Sequence, residues 1–190
     1  MNPTNPTNPE QLKRMVYAAL MAALTAAGAY IAIPVGPVPI VLQNLFVMLA
    51  GLLLGGRWAL ISLGVYLLAG AVGLPVFAGG AGGIGKFVGP TGGYLFGFAA
   101  AAFLIGIISE RGRGKVVVDV MAMVAGTLVI YAFGVTWLKV ITGMSFSKAI
   151  AVGMLPFLIG DAVKIVAAIP IARALRPMID GSLRPVGISG

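Results

Sequence analysis

The chain has 190 residues, of which 59% are hydrophobic and only 9% are charged, and its mean hydropathy is +1.05. A soluble domain carries about 25% charged residues, so this composition indicates an integral membrane protein with a single membrane domain. Cysteine and histidine are both absent, which excludes disulfides, Cys/His metal sites, thiolate nucleophiles and imidazole acid–base chemistry.

The N-terminal residues repeat Asn, Pro and Thr, and their prolines predict a disordered or extended lead-in over 1–9. Apolar segments separated by prolines and glycines then predict an all-α membrane domain of six transmembrane helices over 10–180. A cytoplasmic tail is predicted over 181–190. The apolar segments lie at 15–33, 40–54, 58–73, 93–109, 116–138 and 149–172.

The basic residues are distributed unevenly between the loops. If the N-terminus is cytoplasmic and each segment crosses once, the inside holds the larger share, which predicts that both termini are cytoplasmic. The net charge of +8 then reflects orientation and contact with anionic lipid rather than nucleic-acid binding. The inside set is Lys13, Arg14, Arg57, Arg111, Arg113, Lys115, Arg173, Arg176 and Arg184; the outside set is Lys86, Lys139 and Lys148.

The first segment, "YAALMAALTAAGAY", carries small residues at every fourth position. Such a spacing lets two helices approach closely, so the stripe either packs inside the bundle or docks another protein. The sequence alone leaves both readings open. The two neighbouring stripes are Ala18, Ala22 and Ala26, and Ala19, Ala23 and Ala27.

The first outside loop, "IPVGPVPIVLQNL", is stiffened by three prolines and leads into Gln43 at the top of the second segment, with Asn44 beside it. An amide offers both a donor and an acceptor, which suits a urea-like ligand. A hydrogen bond between two helices is an equally good use of the same side chain.

The stretch "GGAGGIGKF" contains much of the glycine and lysine pattern of a nucleotide-binding P-loop. The hydroxyl residue that a P-loop needs after its lysine is replaced by Phe87, and an apolar segment precedes the loop instead of a strand. We therefore expect no ATP site in this chain.

The longer stretch 74–98 is instead predicted to form a lid over an outward-facing pocket, because a loop this long between spans more often has a function than serves only as a connection. Its glycines, Gly79 among them, let the backbone fold over a ligand, and its phenylalanines, such as Phe77, offer apolar walls. Thr91 and Tyr94 offer polar tips. Lys86 is either a ligand group or a solvated lysine.

The last segment, "PFLIGDAVKIVAAIP", places Asp161 and Lys164 three residues apart, on nearly the same face of a helix. Charged side chains at membrane depth are costly and usually face the protein interior or a water-filled cavity. The pair is either a structural ion pair or the polar part of a ligand pocket. Pro156, one turn earlier, is expected to bend or open the helix.

The stretches 38–55, 73–98 and 156–169, with "GPTGGYLFGF" and "GDAVK" as their most specific parts, resemble the BioY family of biotin-specific S-components of energy-coupling-factor (ECF) transporters. The resemblance implies a six-helix S-component fold with a vitamin pocket near the outer face, gated by the loop after helix three. It implies that Asp161 and Lys164 contact biotin. The chain departs from the family at Val41 and Asn44, where Thr is common, and the family does not fix Lys86.

The resemblance further implies that the alanine face of the first helix docks a transmembrane coupling protein, whose ATPases supply the energy. The predicted function is therefore a non-enzymatic, biotin-binding subunit of an uptake transporter in a prokaryotic plasma membrane, with no cofactor and no metal. Homo-oligomerisation stays open. The predicted substrate-binding residues are Asp161, Lys164, Gln43, Thr91, Tyr94, Lys86, Phe77 and Gly79.

Three alternatives remain at this point. The chain is an S-component for a different vitamin, a membrane enzyme that uses Asp161 as acid or base, or a purely structural assembly subunit. Competition between ligands would reveal an S-component for another vitamin, and turnover without a partner would reveal an enzyme. A lack of saturable binding would indicate a structural subunit.

Overall fold

A computed structural model of the protein describes residues 9–34, 36–112 and 114–183, and most of these residues are helical. The short elements are β1 (Ala32–Ile33), β2 (Ile40–Val41), α3 (Gly85–Val88), α6 (Phe146–Gly153) and a 3-10 turn (Leu155–Phe157). The long helices are α1 (Pro9–Tyr30), α2 (Gln43–Ala71), α4 (Gly92–Gly112), α5 (Val116–Thr142) and α7 (Leu158–Leu183).

The ends of the chain only partly overlap the described residues. Of the predicted lead-in, residues 1–8 lie outside them, and Pro9 is the first residue of α1. At the other end α7 continues to Leu183, past the predicted domain boundary at 180, and the rest of the predicted tail lies outside the described residues. The predicted domain division stays a prediction.

The helix α2 reverses direction at Gly55, which has φ 75° and ψ 171°. Gln43 Nε2 lies 2.9 Å from the hydroxyl of Tyr66, whereas 23 residues of straight helix would span roughly 35 Å. A Cβ at Gly55 would come within 1.9 Å of Glu110 Oε1, so the turn accommodates only glycine without rearrangement. α2 therefore consists of two arms, 43–54 and 56–71, which correspond to the second and third predicted segments.

The helix α4 packs closely against this reversal. A Cβ on Gly106 would lie 2.2 Å from the backbone nitrogen of Gly56, so glycine lets the two backbones approach. With the two arms of α2 taken separately, each of the first five predicted segments corresponds to one helical segment, whereas the sixth is divided between α6 and α7.

The loop before α2 contains a short strand pair that the sequence analysis did not predict. β1 and β2 are antiparallel, with Ala32 opposite Val41 and Ile33 opposite Ile40. The three prolines lie in the connection between the two strands, in keeping with the stiff loop expected from them.

The chain alternates between two ends of the bundle. One end, here called the turn end, brings together Arg14, Gly55, Glu110, Gly114 and Arg176 around one cavity of about 420 Å³. The other, here called the loop end, carries the β1–β2 hairpin and the loop 72–91. The prediction of orientation from the basic residues assumed this up-and-down path.

A buried polar network holds the turn end together. Arg176 lies 3.1 Å from Asp119 Oδ2, and it donates to the hydroxyl of Ser109 and to the carbonyl oxygen of Leu52, each at 3.1 Å. Ser109 in turn donates to Asp119 Oδ1 at 2.5 Å. The network links α2, α4, α5 and α7.

Among the described residues, four helical stretches are long and apolar enough to cross a membrane: α2, α4, α5 and the stretch Phe146–Gly181. The protein is thus a multi-pass helical membrane protein. Because α2 reverses at Gly55, it forms two short arms and not one straight span. The crossing of six separate helices and the orientation of the termini stay predictions.

The last predicted segment is interrupted where Pro156 was expected to open it. α6 ends at Gly153, Pro156 lies in the 3-10 turn, and α7 begins at Leu158. This break places Asp161 in the first turn of α7, where the positive end of the helix dipole favours a carboxylate.

Candidate functional site

The site is organised around Asp161, which is only 2% exposed. Its Oδ1 accepts from Lys164 Nζ at 2.9 Å and from Asn44 Nδ2 at 3.4 Å, and its Oδ2 accepts from the hydroxyl of Tyr131 at 2.5 Å. The donors come from α7, the first arm of α2 and α5. One carboxylate therefore joins three helices, and the predicted proximity of Asp161 and Lys164 is confirmed.

A narrow cavity of about 60 Å³, here called the inner cavity, lies beside this cluster. Its walls combine a polar end with apolar and aromatic side chains, as expected for a small-molecule site. The polar lining residues are Gln43, Asn44, Thr91, Tyr94, Tyr131 and Lys164; the apolar ones are Val38, Pro39, Val41, Phe77, Ala78, Leu95, Phe98, Ile130 and Phe157.

Asp161 lies behind this lining. The three residues that donate to it, Lys164, Asn44 and Tyr131, all line the inner cavity, whereas its own carboxylate is engaged by them. A carboxylate has about four lone-pair positions, so its capacity is largely used within the protein. Asp161 therefore orients the polar groups that face the cavity.

Two predicted residues line the inner cavity with polar atoms that already have partners. Gln43 donates through Nε2 to Tyr66, and Tyr94 donates through its hydroxyl to the carbonyl oxygen of Gly153 at 2.7 Å. The amide of Gln43 thus makes the bond between helical arms that the sequence analysis left open. Tyr94 contributes its ring to the wall and ties α4 to α6.

A second, wider cavity of about 380 Å³, here called the outer cavity, lies at the loop end. Lys86 lines it and is exposed, and this lysine does not line the inner cavity. The two cavities share four lining residues: Pro39, Phe77, Ala78 and Thr91.

Phe77 forms a partition between the cavities. It is 3% exposed, and its ring centroid lies 5.5 Å from those of Tyr66 and Phe87, edge-on to each. The predicted lid residue therefore lies deep in the protein, where it borders both cavities.

Gly79 lines neither cavity. Its backbone N–H donates to the carbonyl oxygen of Ala29 at 3.3 Å, and the nearby Tyr30 hydroxyl donates to the carbonyl oxygen of Pro75. Gly79 thus fastens the loop 72–91 to the end of α1.

The two alanine stripes of α1 have different surroundings. Ala18 and Ala22 are 2% and 6% exposed, and the carbonyl oxygen of Ala18 accepts from the hydroxyl of Ser62 at 2.7 Å. Ala26 is partly buried on the same side. The other stripe is exposed along its whole length, at Ala19, Ala23 and Ala27.

Tyr131 was not predicted from the sequence, and Asn44 was noted beside Gln43 but was not among the predicted substrate-binding residues. A hydroxyl in the middle of the apolar stretch "GTLVIYAFG" was the available signal for Tyr131. Phe98 belongs to the phenylalanines of 74–98 that were predicted to offer apolar walls, whereas Phe157, which also lines the inner cavity, carried no signal that separates it from other apolar residues of a membrane helix.

Together these features define a multi-pass helical membrane protein with a polar-ended pocket that is lined in part by the glycine-rich loop. The BioY family model matches residues 2–181, and the chain belongs to the BioY family.

Relatives and one solved structure agree with this assignment. The chain is 45% identical to the "Probable biotin transporter BioY" of Pyrococcus horikoshii, over 86% of this chain and 96% of that protein. It is 42% identical to the "Biotin transporter BioY" of Thermotoga maritima, over 88% and 98% of the two chains. A crystal structure of the S-component for biotin from an ECF-type ABC transporter matches with a TM-score of 0.85 and 31% identity, covering 95% of this chain and 100% of that chain.

Proposed function

We propose that this protein is the biotin-binding S-component of an ECF-type uptake transporter in a prokaryotic plasma membrane. It is a transport subunit and not an enzyme. The observation that carries the proposal is the inner cavity, whose polar end is built by Lys164, Tyr131 and Asn44 around a buried Asp161 in a chain of the BioY family.

The cavity suits the chemistry of biotin. A ureido ring carries one carbonyl acceptor and two N–H donors, on an apolar bicyclic body that ends in a carboxylate tail. Lys164 uses one of its three N–H groups on Asp161 and is a donor for the carbonyl, while Phe77 and Phe98 offer apolar surface to the ring system. Burying such a ligand between matched groups provides both affinity and orientation.

The ligand is proposed to enter through the outer cavity. Lys86 at the entrance attracts a carboxylate, and Thr91 and Phe77 lie on the boundary that the ligand crosses. The inner cavity, at about 60 Å³, is smaller than the roughly 300 Å³ at the lower end of ligand pockets. We therefore infer that Phe77 and the loop 72–91 move when biotin binds, with Gly79 at the attachment of that loop to α1.

The protein is proposed to cross the membrane with six helices and both termini in the cytoplasm. The excess of basic residues at the turn end supports this orientation, since positive charge favours the cytoplasmic side. The loop end and its two cavities then face outward, where biotin is captured.

Coupling to energy is assigned to partners. The exposed stripe Ala19, Ala23 and Ala27 is proposed to dock the transmembrane coupling protein, because small residues let a partner helix approach closely. Ala18, Ala22 and Ala26 are proposed to serve packing within the bundle instead. ATPase subunits of the same module would supply the energy. That the chain needs no cofactor stays a prediction. Homo-oligomerisation stays open.

Equilibrium binding of biotin to the purified protein in detergent tests the proposal. We expect one-to-one binding by the wild type and a large loss with Lys164→Met. The matched control Lys148→Met changes an exposed lysine that lines neither cavity and should bind as the wild type does. A well-folded wild type that fails to bind biotin, or that binds another vitamin more tightly in competition, would overturn the proposal.

A further inference from the structure

Asn44 carries a buried acceptor atom that the fold leaves without a partner. The residue is 9% exposed and lines the inner cavity, and its Oδ1 is the buried side-chain atom for which the described structure provides no hydrogen bond. Buried polar atoms in native proteins nearly always have partners, so each exception calls for an explanation.

The orientation of this amide follows from its neighbour. Asn44 Nδ2 lies 3.4 Å from Asp161 Oδ1, and an ionised carboxylate only accepts hydrogen bonds. The nitrogen must therefore face Asp161, which leaves Oδ1 as the free end of the amide.

The other groups at the polar end of the cavity differ from Asn44 Oδ1 in kind. Lys164 is a cation with N–H groups to spare, Tyr131 has already given its single proton to Asp161, and the oxygens of Asp161 already accept from three side chains. A ligand with a carbonyl next to an N–H group would find the Lys164 ammonium as donor for the carbonyl and the Asn44 oxygen as acceptor for the N–H.

We propose that Asn44 is a specificity-determining residue, whose Oδ1 accepts a hydrogen bond from a ureido N–H of the bound ligand. The inference rests on the proposed function and deepens it. Asp161 then acts as a positioning residue that holds Lys164, Tyr131 and Asn44, and the N–H of the ligand is recognised by a neutral amide.

The test measures binding of biotin and of two cyclic carbamate analogues, in each of which a ring oxygen replaces one ureido N–H. We expect Asn44→Leu to bind biotin about tenfold to a hundredfold more weakly than the wild type. For one of the two analogues, Asn44→Leu should bind no more weakly than the wild type does, because the contact is already lost. This non-additivity identifies the partner of Asn44.

Three controls separate recognition from folding. Desthiobiotin retains the ureido ring and should lose the same factor as biotin. Thr127→Val removes a buried hydroxyl that bonds within α5 and lines neither cavity, so it should leave biotin affinity unchanged. Ligand-free thermal unfolding checks that Asn44→Leu is folded, since the removal of an unpaired acceptor opposes the loss of the hydrogen bond to Asp161.

Unchanged biotin affinity in Asn44→Leu, or an equal loss for biotin and both analogues, would overturn this inference while leaving the proposed function in place. If Asn44→Leu does not fold, Asn44→Ala is judged by the same criteria. A wild type that does not bind biotin would overturn both proposals.

Discussion

Gln43 and Tyr66 are hydrogen-bonded at 2.9 Å although 23 residues separate them along one nearly continuous helix. The bond closes the hairpin that α2 makes at Gly55, and it brings the start of the first arm beside the second arm. Since Gln43 and its neighbour Asn44 both line the inner cavity, the reversal at the turn end determines the shape of the pocket at the loop end.

Gly55→Ala is expected to destabilise the protein by about 1–3 kcal/mol, because alanine is strained at positive φ and its Cβ would collide with Glu110. Thermal unfolding in detergent measures the effect. The control is Gly64→Ala, in the second arm, where a Cβ meets no atom within 4 Å. That change should be neutral or stabilise by about 0.5–1 kcal/mol, and equal effects at both positions would contradict the assignment of a turn at Gly55.

The buried pair of Asp161 and Lys164 gives a prediction that separates a structural role from a ligand role. Asp161→Asn leaves the Lys164 ammonium unpaired and is expected to cost about 3–5 kcal/mol of stability. Lys164→Met should cost less, because Tyr131 and Asn44 still donate to Asp161.

The double variant Asp161→Asn with Lys164→Met should recover most of the stability, since no unpaired charge remains, but not the binding of biotin. Thermal unfolding and equilibrium binding on the same samples measure both quantities. Biotin affinity equal to wild type in the double variant would show that the pair serves only the fold.

The network at the turn end is predicted to affect stability without affecting affinity. Arg176→Met should cost about 3–5 kcal/mol, because Asp119 is buried and loses its cationic partner. Biotin affinity of the folded protein should be unchanged, since neither residue lines the inner or the outer cavity.

The matched control for that experiment is Arg14→Gln. Arg14 pairs with Glu10 at 3.0 Å in an exposed position, and such surface pairs contribute about 0–1 kcal/mol. If Arg14→Gln and Arg176→Met lower the unfolding temperature equally, burial is not what gives the Arg176 network its strength.

The two alanine stripes are predicted to respond differently to the same substitution. Ala22→Leu adds volume to a buried contact and should destabilise the protein by about 1–3 kcal/mol. Ala23→Leu, one position further along α1, points away from the bundle and should leave stability and biotin binding intact.

In the presence of a coupling module, Ala23→Leu is expected to reduce co-purification with the coupling protein and uptake of labelled biotin by cells. Ala27→Leu should behave in the same way, because it lies one turn further on the same stripe. Full uptake by both variants would place the docking surface elsewhere.

The sequence by itself determined the features that depend on composition and on local geometry. Low charge and high hydropathy require a membrane environment, and glycine and proline marked the breaks at Gly55 and Pro156 because they act on their own backbone. Asp161 and Lys164 were predictable as neighbours because a spacing of three residues places them on one helix face in any tertiary structure.

Only the tertiary structure decided which faces of the helices meet. In a membrane protein both the buried and the lipid-facing sides of a helix are apolar, so hydrophobic periodicity does not report which side is inside. The sequence could therefore not tell Ala22 from Ala23, nor connect Tyr131 to Asp161 across 30 residues. The unpaired oxygen of Asn44 likewise appears only when α2, α5 and α7 are packed together, because being without a partner is a property of the surroundings and not of the residue.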